Sequence, residues 1–246
     1  MAYDYRMAKL KILETLGSKV EVQTTKTIPS DGAFTYENGI KAWVGALFVD
    51  IVDSTSLFKE SNISDNMLSR IMRSFVEQVV AIIHENENQY EIGIRGDCVY
   101  GIFQADKQDK LVSIFRTAFC INTFMKMFNA ILANKNLPSI GVGIGIGCDE
   151  QLVIKAGKKA VCHDKIWIGD GIVNASNLSK IANRDYYDPI CMDSTMYGSI
   201  IGLLAQENSN YRKWIKKASS SQYDGIFYQC DIIQTDFNDW IDGGMK

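Results

Sequence analysis

Hydrophobic and polar positions recur along the chain with periods that mark its elements. Residues 64–84 predict a helix, because Met67, Leu68, Ile71, Met72, Phe75, Val76, Val79, Val80 and Ile83 follow helical spacing. Residues 107–132 predict a second long helix. Residues 1–20 predict an amphipathic helix with Met7, Leu10, Ile12, Leu13 and Leu16 roughly on one face. Residues 21–40 are polar, carry Pro29, Gly32 and Gly39, and read as a loop or arm. The run KAWVGALFVDI at 41–51 is apolar almost throughout, as a central buried strand is. It ends near Asp50, and Ser54 or Thr55 can cap a following helix. Tyr90 to Gln104 reads as a β-hairpin turning at Arg95-Gly96-Asp97. Ser139 to Glu150 alternates Ile or Val with Gly, which predicts a strand with one bare face open to another backbone or a ligand. QLVIKAGKKAV then reads as a return strand, and KIWIG at 165–169 leads into a short helix, GIVNASNLSKIAN. Beyond residue 185 follow a strand (PICM), a helix (DSTMYGSIIGLL), a basic stretch (YRKWIKK) and a final strand (GIFYQCDII). This order is that of an α+β sandwich, a mostly antiparallel sheet with helices packed on it. The expected division is an N-terminal helix and arm over 1–40 and a main domain over 41–246.

Composition narrows the function. The chain has 246 residues, 46% hydrophobic and 22% charged, so one sizeable ordered domain is expected. A net charge of -3 gives no global field for nucleic acid or an anionic membrane. Apolar runs such as 79–83 are far shorter than a membrane span, and the start lacks a signal-peptide core, so the expected location is cytoplasmic. Cysteines at 98, 120, 148, 162, 191 and 230 form no C-x-x-C pair and read as free thiols in a reducing compartment. The only two histidines, His84 and His163, make imidazole-based metal sites and Ser-His-Asp chemistry poor bets.

Asp50 closes a buried strand and Asp97 sits in a hairpin turn. On the residues alone they are either turn and cap residues or, if their strands are neighbours, two carboxylates converging to hold divalent cations beside a triphosphate. The words FVDIVDST (48–55), RGDCVYGIF (95–103) and WIGDGIVNAS (167–176) stand in the order and spacing of class III nucleotidyl cyclases. From about residue 40 to about 235 the chain resembles that catalytic domain. The resemblance implies a class III cyclase-like (ferredoxin-like) sandwich, with 41–246 as the catalytic domain. It implies that Asp50 and Asp97, with the backbone carbonyl of Ile51, bind two divalent cations, Mn²⁺ or Mg²⁺. The amides toward Ser54 and Thr55 would meet the phosphates at a helix N-terminus. The reaction would be attack of the ribose 3′-oxygen on the α-phosphate, with pyrophosphate leaving.

The same resemblance implies a head-to-tail homodimer in which residues 172–182 of each chain complete the other's site. Asn174 matches the asparagine that orients the ribose. The family's arginine four residues later is missing, since position 178 is Leu; aligning on Ala175-Ser176 instead puts Asn177 at the arginine position and Val173 at the asparagine. Lys180 is the nearest cation. The lysine that purine cyclases place four residues before the second aspartate is Gly93 here, and the other base-reading position falls near Asp164 to Ile168. Phe48 and Arg95 stand nearby instead: an arginine can donate to a pyrimidine carbonyl and an aromatic can stack on the base or crowd out a purine. The pattern resembles the bacterial pyrimidine cyclases of antiphage systems, whose cyclic UMP or cyclic CMP activates a separate effector protein. UTP is the favoured substrate over CTP. The alternatives are an adenylate or guanylate cyclase and a non-catalytic nucleotide-binding module.

Overall fold

The computed structural model describes residues 3–54, 63–158 and 161–246. In chain order the elements are α1 (Tyr5–Gly17), β1 (Glu21–Thr24), β2 (Asn38–Ile51), α2 (Asp65–His84), β3 (Gln89–Arg95), β4 (Cys98–Gln104), α3 (Gln108–Ala133), β5 (Val142–Lys158), β6 (Cys162–Ile168), α4 (Asp170–Ser179), β7 (Ile190–Asp193), α5 (Ser194–Glu207), α6 (Tyr211–Trp214), β8 (Lys216–Ser220), β9 (Tyr223–Cys230) and α7 (Thr235–Asp242). The strands make one sheet in the order β3-β4-β2-β5-β7-β9-β8, with β1 beside the start of β2 and β6 beside the end of β5. The pairs β1–β2 and β5–β7 are parallel and the others antiparallel. The α+β sandwich expected from the pattern is the observed fold.

The long helices form where the apolar spacing places them. Ser64 caps α2 by accepting from the Met67 amide, and Ile71, Phe75, Val79 and Ile83 repeat every fourth residue on its buried face. With α3 and α5 they cover one face of the sheet, packing on Leu47, Val49, Ile51, Ile144 and Ile146. α3 is long and apolar enough to cross a membrane by length and composition, but Ile114, Phe115, Ala118 and Ile121 are fully buried in this core, as in a core helix.

Several elements differ from the sequence reading. Residues 21–24 are a strand rather than part of a loop, and Ile28 and Phe34 beyond it are buried against Ile40, Ala42 and Val44. β5 runs unbroken through Asp149 and Glu150, because β2 pairs with it continuously from Gly39↔Ile154 to Ile51↔Val142. The return strand is therefore Cys162–Ile168, not QLVIK. The basic stretch splits into α6 and β8, and α7 follows the last strand.

The glycines of β5 explain the second layer. A Cβ at Gly147, Gly145 or Gly143 would fall on the carbonyl oxygens of Gly171, Ala175 and Ser179 respectively. Those carbonyls recur every fourth residue, so they form one line along α4, and the bare strand face lets the helix backbone lie directly on it. Phe48 pairs with Gly145 and Asp50 with Gly143 across the β2–β5 ladder. Seating α4 on the glycines therefore sets it beside Phe48 and Asp50.

Candidate active site

A groove of about 570 Å³ runs between α4 and the β3–β4 hairpin, within the size range of small-molecule sites. Its floor is the exposed side of β2 and β4. Phe48 and Tyr100 are direct cross-strand partners, and their rings stack with centroids 5.2 Å apart and 16° between planes. Two residues on, Asp50 pairs with Cys98, so Asp97 stands in the adjoining turn. Gly96, at φ 63°, makes that turn and needs no Cβ there. Arg95 and Asp97 form one rim and Ile172, Ser176 and Ser179 of α4, with Lys180 just past its end, the opposite wall. The structure thus brings Phe48, Asp50, Arg95 and Asp97 to one groove.

The other residues singled out in the sequence lie as follows. Ile51 sends its side chain into the core beneath the sheet, while its carbonyl faces Arg184. Ser54 is half-buried just past the end of β2, and Thr55 lies outside the described residues. Asn174 turns away from the groove: its amide donates to Asp193 Oδ2 at 3.5 Å. Asn177 is exposed, and neither asparagine lines the groove of its own chain. At Gly93 a Cβ would strike the Tyr100 ring, so glycine there is the condition for the Phe48–Tyr100 stack.

The structure adds one residue that the motifs do not reveal. Arg184, just beyond α4, donates from Nη2 to Asp50 Oδ2 at 2.9 Å and to the Ile51 carbonyl at 3.3 Å. At the other end of the groove Lys165 Nζ lies 2.7 Å from Asp31 Oδ1, 3.1 Å from Glu91 Oε2 and 5.0 Å from the Tyr90 ring centroid. Trp167 Nε1 is buried with no hydrogen-bond partner among the described residues.

Burial pushes the Asp50 carboxyl up from its ordinary value; the Arg184 guanidinium opposes this and the Asp97 charge adds to it. Burial, with the Asp50 and Asp97 charges, pushes the Cys98 thiol up to about 12, which leaves it an inert neighbour. A divalent cation would relieve the two carboxylates. Asp50, Asp97 and the Ile51 carbonyl are a hard-oxygen set of the kind such cations prefer. Among the described residues no three His, Cys, Asp or Glu side chains converge. A cation here would complete its shell with phosphate oxygens of a nucleotide, the usual arrangement for Mg²⁺-type ions. The donor set fits on those terms.

No family model matches the chain. A uridylate cyclase from Treponema porcinum is 39% identical over 249 residues, spanning 100% of this chain and 83% of the relative. A second uridylate cyclase, from Gulbenkiania mobilis, is 24% identical over 250 residues, or 98% of this chain and 96% of the relative. Among solved structures, the adenylyl cyclase CyaB from P. aeruginosa matches with a TM-score of 0.62 at 15% identity, over 78% of this chain and 94% of that one. The guanylyl cyclase Cya2 matches with a TM-score of 0.61 at 14% identity, over 78% and 92%. At such identities the structures speak for the fold, and the full-length relative speaks for the family. The chain is a nucleotide cyclase of the class III fold and belongs to the family of the uridylate cyclases.

Proposed function

We propose that the protein converts UTP to 3′,5′-cyclic UMP and pyrophosphate in this groove. The observation that carries the reading is the convergence of Asp50 and Asp97 at one end of a groove whose floor is the Phe48–Tyr100 stack. The ribose 3′-oxygen bonds to the α-phosphorus while the bond from that phosphorus to pyrophosphate breaks. Two divalent cations, Mn²⁺ or Mg²⁺, held by Asp50, Asp97 and the Ile51 carbonyl, would supply charge neutralisation and a lower pKa for the attacking hydroxyl. The protein's own part is to hold the carboxylates at a fixed strand end and hairpin turn, so that little reorganisation accompanies the reaction. The amides that follow Asp50, toward Ser54, would meet the phosphates.

Base selection rests on the rest of the groove. The Phe48–Tyr100 pair offers a flat apolar surface for stacking. Arg95 and the unspent Trp167 Nε1 are donors. Uracil presents two carbonyl acceptors, whereas cytosine replaces one by an amino donor, so donors on the pocket wall favour UTP over CTP. The names of both relatives agree with that choice.

The site is completed by a second copy of the chain. Val173, Ile166 and Ile168 are about half exposed along α4 and β6, an apolar strip beside the groove. A head-to-tail homodimer covers it and presents Asn174 and Asn177, which do not serve their own groove, to the other one. By the resemblance to antiphage cyclases, the product is a cytoplasmic second messenger for a separate effector protein. The test is pyrophosphate release from UTP with Mn²⁺. Asp50→Ala and Asp97→Ala each reduce it to the enzyme-free blank; a rate near wild type from either variant removes the metal reading.

A further inference from the structure

Arg184 is bonded on two sides. Nη2 donates to Asp50 Oδ2 at 2.9 Å and to the Ile51 carbonyl at 3.3 Å. Nη1 donates to the carbonyls of Ser179 and Ala182 at 2.9 and 3.2 Å, at the C-terminal end of α4, where carbonyls lack helical partners. One nitrogen therefore engages the oxygens that would ligate a cation, and the other holds an anchor. The surrounding turn is built to present this side chain. Asn183 and Asp185 on either side adopt left-handed backbone angles, φ 57° and 54°, which Asn and Asp tolerate better than most residues. The Asn183 amide ties the turn to the Val142 carbonyl at 3.0 Å. Arg184 also lines a second, smaller niche of about 150 Å³ with Tyr186, Tyr187, Ser220 and Gln222, and Lys180 borders both niche and groove.

A guanidinium and a divalent cation compete at Asp50 Oδ2 and the Ile51 carbonyl: both draw on the lone pairs of these oxygens, and their charges repel. We propose that Arg184 is an exchangeable counterion, holding these two oxygens in the unloaded protein, yielding them to the incoming cation, and carrying its freed Nη2 donors to the phosphates while Nη1 stays anchored to α4. The inference rests on the reading of Asp50 and Ile51 as metal ligands. Arginine suits the task because its fork can bridge two acceptors and keep an anchor at once, which an ammonium cannot.

The experiment is Mn²⁺ binding to the full chain without nucleotide, read from the electron paramagnetic resonance signal of free aqueous Mn²⁺. Wild type, Arg184→Ala and Arg184→Lys are compared, with folding checked by circular dichroism. Arg184→Ala is expected to bind Mn²⁺ about tenfold more tightly than wild type, a usual size for coupling between two ligands, with Arg184→Lys between them. Affinity in Arg184→Ala equal to or below wild type overturns the exchange. Should Arg184→Ala fail to fold, wild type decides: Mg²⁺ must shift one arginine side-chain resonance that is missing in Arg184→Lys, and an unmoved resonance overturns the proposal. With Mn²⁺ present, Arg184→Ala should bind inorganic pyrophosphate about tenfold more weakly; equal binding overturns the phosphate role. None of these readouts needs turnover, so failure of the cyclase reading, seen as no cyclic product from any nucleotide, is distinguished from failure of the exchange.

Discussion

Raising the pH from 4 to 7 should weaken the fold through one carboxyl, Asp193. Its side chain ends β7, is 2% exposed, and ties α4 and α5 to the sheet. Oδ1 accepts the Met196 amide at 2.7 Å; Oδ2 accepts the Cys148 amide at 3.3 Å and the Asn174 side chain at 3.5 Å. Burial nevertheless outweighs these bonds and pushes the carboxyl up to about 6. In the unfolded chain the same group titrates at about 3.9. Between those values the unfolded chain has lost its proton and the native protein keeps it, so stability falls as pH rises and the loss is complete above about pH 6. A difference of about two pKa units corresponds to about 3 kcal/mol. The assay is urea unfolding of wild type and Asp193→Asn at intervals from pH 4 to 7. Subtracting the two curves cancels the raised Asp50 and the lowered Asp31 and Asp106. Wild type should lose about 2 kcal/mol of that relative to the variant across this range, since at pH 4 the unfolded group is already about half ionised. The slope is the readout rather than the level, because the new amide would turn an N–H toward the Cys148 amide. A pH-independent difference would refute the reasoning and mean that the hydrogen bonds keep Asp193 at an ordinary carboxylate value.

Other substitutions test other links. Gly145→Ala places a methyl group on the Ala175 carbonyl, and overpacking against backbone should cost about 3 kcal/mol in urea unfolding. Gly198→Ala, in open space on α5, should be neutral or stabilising by up to about 1 kcal/mol. Gly93→Ala should push Tyr100 off Phe48 and raise KM for UTP five- to tenfold, the equivalent of about 1 kcal/mol of aromatic contact, with kcat unchanged; an unchanged KM would mean that the stack does not touch the base. Cys162 is exposed and should react first with a thiol reagent, whereas buried Cys148, Cys191 and Cys230, their thiols pushed up by burial, should react only on unfolding.

The parts of the site that depend on local pattern were legible in the sequence. The hairpin signal around Gly96 placed Asp97 in a turn, and the apolar run before Asp50 placed that residue at a strand end; only the pairing of β2 with β4 was needed to bring them together. The Gly repeat announced a close approach, and the structure shows α4 as what approaches. Where partners lie far apart in sequence, no pattern exists to read. Arg184 meets Asp50 across 134 positions, through a turn whose left-handed residues have no periodic signature. The orientation of Asn174 and Asn177 depends on which line of carbonyls α4 lays on β5, a choice made by packing. The same holds for β5, where Asp149 and Glu150 look like a turn until the length of β2 carries the strand past them.

The most direct test of the central claim is to incubate the purified protein with Mn²⁺ and each of ATP, GTP, CTP and UTP separately and to identify the products by mass. Cyclic 3′,5′-UMP and pyrophosphate, formed from UTP in preference to the other three, is the result that the Asp50–Asp97 pair and the donor-lined aromatic groove predict. Cyclic AMP or cyclic GMP as the main product would contradict the base reading, and no cyclic product from any nucleotide would contradict the catalytic one.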